Sequence, residues 1–199
     1  MGGMLSMPPV VRGLIILNVA VFVLELLTGA LLPALFGLWP LGSGHFHVWQ
    51  LITYAFLHDP RNVLHIFLNM FALYMFGRSL ESHLGPRRFL IYYLVCAVAA
   101  ALTQLLVTPP NALETIGASG GVFGVLLAYA WFFPRTRLIV LPLPLPLPAW
   151  LVVLGYALVE LFFGVTHREE SVAHFAHLGG MVGGIACLLY WRARRRFSS

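Results

Sequence analysis

Apolar residues run in blocks of about 20, the length that crosses a hydrocarbon core, and polar or proline-rich breaks separate the blocks. Six such runs stand at roughly 10–32, 63–84, 87–108, 116–133, 149–165 and 172–191. They predict an all-α polytopic membrane protein built as a bundle of six transmembrane helices. No polar segment is long enough to fold by itself, so residues 1–199 are expected to form a single membrane domain. The first run is too long for a signal peptide and no clean small-residue cleavage site follows it, so it is expected to be retained. The longest break, about 33–62, carries Trp39, Phe46 and Trp49. Aromatic residues of this kind favour the membrane interface, so the loop is expected to lie partly in the bilayer. "LPLPLPLP" at 141–148 cannot be helical, because each proline removes a donor and restricts its predecessor, and it predicts an extended connector. No repeat at a solenoid period is present.

Composition agrees with this pattern: 60% of the residues are hydrophobic, 10% are charged, and mean hydropathy is +0.88, well outside the soluble range. All 12 basic residues are arginine. Ten of them fall at one set of helix ends and only Arg61 and Arg168 at the other, so the positive-inside rule places both termini in the cytoplasm. The net charge of +5 follows from that asymmetry without invoking nucleic acid, and the closing "RARRRF" suits lipid headgroups. Cys96 and Cys187 both fall inside predicted helices, which excludes a disulfide framework and a paired-cysteine zinc site. The compact length points to a multi-pass protein of a prokaryotic plasma membrane.

With both termini inside, the second, fourth and sixth runs all begin at the outer face. His65, Ser119 and His177 then lie about three to six residues into them, roughly 5 to 10 Å deep at about 1.5 Å per residue. Ionisable groups at such depth are usually functional. The glycines indicate which helices touch. Gly117 and Gly121 are four apart, as are Gly120 and Gly124, while His177, Gly180 and Gly184 share one face of the sixth run. Small residues at this spacing let backbones approach closely, which brings Ser119 toward His177. His65 and Asn69, four apart on the second run, share a face and can both donate hydrogen bonds.

Other hydrolytic chemistries fall away. The chain has no lysine for a Ser-Lys dyad, a single aspartate (Asp59) where an aspartyl site needs two carboxylates, and no HExxH motif. Ser119 and His177 remain as nucleophile and general base, alongside the blander reading that a serine among glycines packs helices and a histidine sits satisfied in a core. No carboxylate is expected beside His177, so packing against Phe123 would orient its ring. His45, His47, His58, His167 and His174 are expected in outer loops or at helix starts, solvated or interfacial, with His58 able to brace the first loop. His174 would sit nearer the surface than His177. Glu25 and Glu160 fall in the outer halves of the first and fifth runs and are expected to hydrogen-bond to neighbours that the sequence does not identify.

"HIFLN" (His65 to Asn69), "GASGGVFG" (Gly117 to Gly124) and "AHLGGMVGG" (Ala176 to Gly184), with "GRSLESHLG" and Trp49, together resemble the rhomboid intramembrane serine proteases. The resemblance implies a six-helix core with Ser119 as nucleophile and His177 as base. It implies an oxyanion hole formed by His65, Asn69 and the Ser119 amide, with Gly117 beside it and Gly120, Phe123, Gly180 and Gly184 in support. It implies no metal or other cofactor, and substrates that are membrane proteins cut near the outer face within a locally unwound transmembrane segment. The helix at 149–165 and the loop at 166–171 would move to admit them. Gln50 stands where many relatives carry arginine, so an ion pair from that position to Glu81 is not expected, and Phe123 stands where some have tyrosine. A rhomboid-like protein that binds transmembrane segments without cutting them is the alternative, and a channel or proton-linked transporter is disfavoured by the apolar inner halves of the helices.

Overall fold

The computed structural model describes residues 7–140, 143–166 and 173–197. His167 and nearly all of the 166–171 loop lie outside the described residues. Helix α1 (Pro9–Thr28) opens on proline, whose missing N–H has no helical partner at that position anyway. It stops at Gly29, where φ turns to +60°, and a short α2 (Leu31–Phe36) follows. The first run, expected as one helix, is therefore two, because a right-handed helix cannot pass through that backbone conformation. The outer loop holds α3 (Gln50–Thr53) and a 3₁₀ turn (Tyr54–Phe56).

The second and third runs become α4 (Val63–Leu84) and α5 (Pro86–Val107), separated only by Gly85 at φ +80°. Helix α6 (Ser119–Phe132) begins at Ser119, three residues later than expected. The segment before it is held extended: Thr115 and Leu38 exchange both backbone hydrogen bonds at 2.9 Å. The 14 residues of α6 rise about 21 Å at 1.5 Å per residue, short of a roughly 30 Å hydrocarbon core, and with Gly117 and Ala118 buried and Trp131 exposed it is the start of α6 that lies inside the bundle. Residues Arg137–Val140 (β1) and Leu143–Pro148 (β2) then form an antiparallel ribbon. The prolines were expected to keep this segment extended, and in a two-stranded ribbon each strand is an edge, where a missing N–H is tolerated. Helices α7 (Ala149–Thr166) and α8 (His174–Phe197) complete the chain. By length and composition α1, α4, α5 and α7 are able to cross a membrane.

Polarity is inverted relative to a soluble domain. Leu27 and Leu106 are 78% and 83% exposed, among many outward leucines, valines and phenylalanines, while Glu25, Gln50, His58 and Glu81 are buried. An apolar surface of that extent requires lipid. Inside it, each buried acid must find donors. Glu81, on the last turns of α4, accepts the Val10 and Val11 amides at 3.0 and 2.8 Å and so caps the start of α1. A carboxylate is suited to that place, since those amides have no helical acceptor and carry the positive end of the helix dipole. Glu25 accepts the His58 amide at 3.0 and 3.2 Å. His58 is fully buried rather than solvated, and burial, then the neighbouring His65, holds its imidazole well below the usual range, at about 3.

Replacing Glu81 by alanine strands the buried Val11 amide, at about 1 to 3 kcal/mol, and the partly buried Val10 amide at a smaller cost. Glu81→Ala is expected to lower the thermal midpoint in detergent by several degrees, and a midpoint equal to wild type would refute the capping role.

Candidate active site

Three contacts set the position of the α6 N-terminus. The Leu38–Thr115 pairing fixes the approach, the Gly117 amide donates to the Tyr54 carbonyl at 3.0 Å, and the Tyr54 hydroxyl donates to the Ala97 carbonyl at 2.8 Å. Tyr54 thus ties the incoming segment to α5. Gly117 has φ +133°, a region that side chains rarely adopt. A Cβ there would stand 3.0 Å from His65 Nε2 and 3.7 Å from Ser119 Oγ, so the glycine leaves open a space bounded by His65 and Ser119. Ser119, as the first residue of α6, has a backbone amide without a helical acceptor.

Glycine also determines how closely α8 approaches. A Cβ on Gly180 would collide with the Gly120 carbonyl, and one on Gly124 would lie 3.2 Å from the Gly180 carbonyl. The backbones of α6 and α8 therefore touch directly. Across that contact His177 Nε2 lies 2.7 Å from Ser119 Oγ. The Phe123 ring stacks on His177 at 4.2 Å and 6° between planes, and Tyr156 of α7 meets Phe123 edge-on at 6.2 Å. Gly184 packs instead against Tyr92 and Cys96 of α5.

His65 stands in the first turn of α4, half-buried, with its ring 5.0 Å from that of His58. Asn69 is buried one turn further along the same face, and its amide donates to the His65 carbonyl at 3.0 Å. One N–H of that amide is left for another acceptor. The structure therefore gathers Ser119, His177, His65, Gly117 and Phe123 around one space, with Asn69 beneath His65.

Two expectations are corrected here. His174 is buried, not near the surface, and a carboxylate does stand beside His177. Glu160, on α7, places Oε2 2.7 Å from His174 Nδ1 and 3.0 Å from His177 Nδ1. The first contact is an aligned hydrogen bond. The second is as close as an ion pair but off-line, so His177 Nδ1 has no aligned acceptor. One feature of the sequence could have revealed this cluster: His174 and His177 are three apart on one helical face, at the start of the helix that follows the one bearing Glu160. These three residues are the group among those described whose donor atoms could converge on a metal, all within 4.8 Å of one another. Ligands around a tetrahedral zinc stand roughly 3.3 Å apart, whereas 2.7 and 3.0 Å are distances that shared protons produce. Cys96 and Cys187 are free and buried, and Cys96 fills the gap left by Gly124.

Residues 45–194, which include every residue of this constellation, match the Rhomboid domain family. The chain belongs to the rhomboid family. Over 192 residues it is 28% identical to Rhomboid protease GlpG of Yersinia pestis (strain Pestoides F), covering 94% of this chain and 63% of that protein. Over 144 residues it is 33% identical to Rhomboid protein 1, mitochondrial, of Saccharomyces cerevisiae, covering 68% of this chain and 40% of that one. The chain thus spans less than two thirds of the length of either relative. In this rhomboid Gln50 has a task of its own. Its side chain accepts the Trp39 and His47 amides and donates to the His45 and Leu35 carbonyls, bracing the outer loop while Glu81 caps α1.

Gly180→Ala forces α6 and α8 apart and is expected to cost about 1 to 3 kcal/mol, as overpacking does. Gly155→Ala, where a Cβ meets nothing within 4 Å, is expected to be neutral or to stabilise by up to about 1 kcal/mol, since alanine is the better helix former. Thermal unfolding of the two variants with the same sign and size of change would contradict this packing.

Proposed function

We propose that this rhomboid is an intramembrane serine endopeptidase, and the observation that carries the proposal is the 2.7 Å contact between Ser119 Oγ and His177 Nε2. A neutral imidazole with its lone pair on Nε2 takes the serine proton as Oγ attacks the scissile carbonyl. The oxygen that becomes negative is received by the Ser119 amide at the start of α6, His65 Nε2 and the free N–H of Asn69. His177 then gives the proton to the leaving amine, which leaves an acyl-enzyme. Water, deprotonated by the same nitrogen, releases the second product. Phe123 keeps the ring in plane for both transfers.

The substrates are membrane proteins presenting a transmembrane segment. The chain crosses a prokaryotic plasma membrane six times with both termini cytoplasmic, as the arginine distribution favours, and the site opens just beneath the outer face. The short α6 and the burial of Gly117 and Ala118 at its start support this depth. A role limited to binding transmembrane segments is less well supported, since it gives no reason for a serine hydroxyl to meet an imidazole in a space that a glycine keeps open.

Purified protein in detergent is expected to cleave a labelled single-span substrate, and Ser119→Ala to abolish cleavage. Persistence of cleavage in that variant would remove the proposal. His65→Ala and Asn69→Ala are each expected to lower kcat by about 100- to 1000-fold, the usual loss for one oxyanion donor, with smaller change in KM.

A further inference from the structure

We propose that Glu160 is a positioning residue for His177, completing a Glu160–His177–Ser119 relay that His174 holds in place. The inference rests on the protease reading for its catalytic meaning, but the coupling it describes is a property of the fold. His177 lies between two partners, Ser119 Oγ at 2.7 Å from Nε2 and Glu160 Oε2 at 3.0 Å from Nδ1. For Nε2 to accept the serine proton, the imidazole proton must sit on Nδ1, the nitrogen that faces the carboxylate. Glu160 selects that tautomer.

Charge gives the second reason. When the proton passes from Ser119 Oγ to His177 Nε2, the ring becomes a cation in a site where His177 is 7% exposed. An unpaired cation there is costly. Glu160 stays ionised throughout and balances it. The proton then goes to the leaving amine, so His177 and Glu160 both return to their starting states.

His174 explains how the carboxylate is kept in place. Its Nδ1–H donates to the same oxygen at 2.7 Å, while its Nε2 is buried without a partner. The tautomer with Nε2 unprotonated leaves only a lone pair unsatisfied, so His174 is a neutral donor that pins Glu160. Among the described residues, the remaining groups facing His177 are Ser119 from α6 and His65 from α4, whose charged form would repel an imidazolium, with Tyr156 of α7 behind Phe123. Glu160 is the one among the described residues that favours the cation. In Ser-His-Asp enzymes the corresponding change from acid to amide costs about 10⁴-fold. Here the approach is off-line and shared with His174, so a smaller factor of about 100 is expected.

The full chain, labelled with ¹⁵N-histidine in a Ser119→Ala background and assigned with His174→Gln, tests the coupling without any proteolysis. In Glu160→Gln the His177 ring signals are expected to move from the Nδ1–H tautomer pattern toward a mixture of tautomers, with Glu160→Asp restoring part of it. An unchanged tautomer pattern would overturn the proposal. With Ser119 present, Glu160→Gln is expected to lower kcat about 100-fold at nearly constant KM and to move the acidic limb of the pH–rate profile to lower pH. Loss of activity with an unmoved limb would mean a merely structural carboxylate and would also overturn it. If the ring signals shift in a protein that cleaves nothing, the Glu160–His177 coupling stands and the protease reading fails.

Discussion

Direct backbone contact between α6 and α8 is the constraint on which the rest depends. At Gly180 no side chain fits, because even a Cβ would occupy the place of the Gly120 carbonyl. This contact sits at the residue after Ser119 and one turn from His177, so helix separation converts almost directly into the distance between hydroxyl and imidazole. A residue larger than glycine at position 180 would push α8 away from α6 and lengthen that distance, whereas a Cβ at Gly120 would run into Ala100 of α5. Lipid supplies no hydrophobic force between helices, so close packing of small residues is the cohesive term available at this depth.

Around that contact, the buried acids each answer a local shortage of acceptors. Glu81 takes the orphan amides of α1, Glu25 takes the His58 amide, and Glu160 lies against two imidazoles. The first two secure the frame: Glu81 locks α1 to α4, and Glu25 locks the outer loop to α1. The outer loop in turn pairs Leu38 with Thr115 and Tyr54 with Gly117, which determines where α6 begins. A chain of polar contacts therefore runs from the first helix to Ser119, enclosed by a surface that only lipid can cover.

Much of this was legible in the sequence because its causes are local. The limits of α4, α5 and α7 follow apolar runs and prolines, and the family follows from three short motifs. Spacing pointed to the α6–α8 contact through Gly120, Gly124 and Gly180, whereas Gly121 and Gly184 pack against α5 and Gly117 against His65. What was not legible depends on backbone conformation or on contacts between distant segments. A glycine at φ +60° splits the first run, and nothing in its neighbours distinguishes it from a packing glycine. The late start of α6 comes from a bridge to Leu38, 77 residues earlier in the chain. The sequence presents Glu160 and His174 singly, one as an acid bonded to a neighbour it does not identify and the other as a histidine nearer the surface than His177. Their pairing depends on α7 and α8 ending and beginning at the same level, which no periodicity reports.

The most direct measurement of the central claim is the site and rate of modification by a fluorophosphonate, mapped by mass spectrometry on the folded protein. One adduct is expected, on Ser119 Oγ, forming far more slowly once His177 is replaced by alanine. An adduct elsewhere, or labelling of Ser119 at an equal rate without His177, would contradict it.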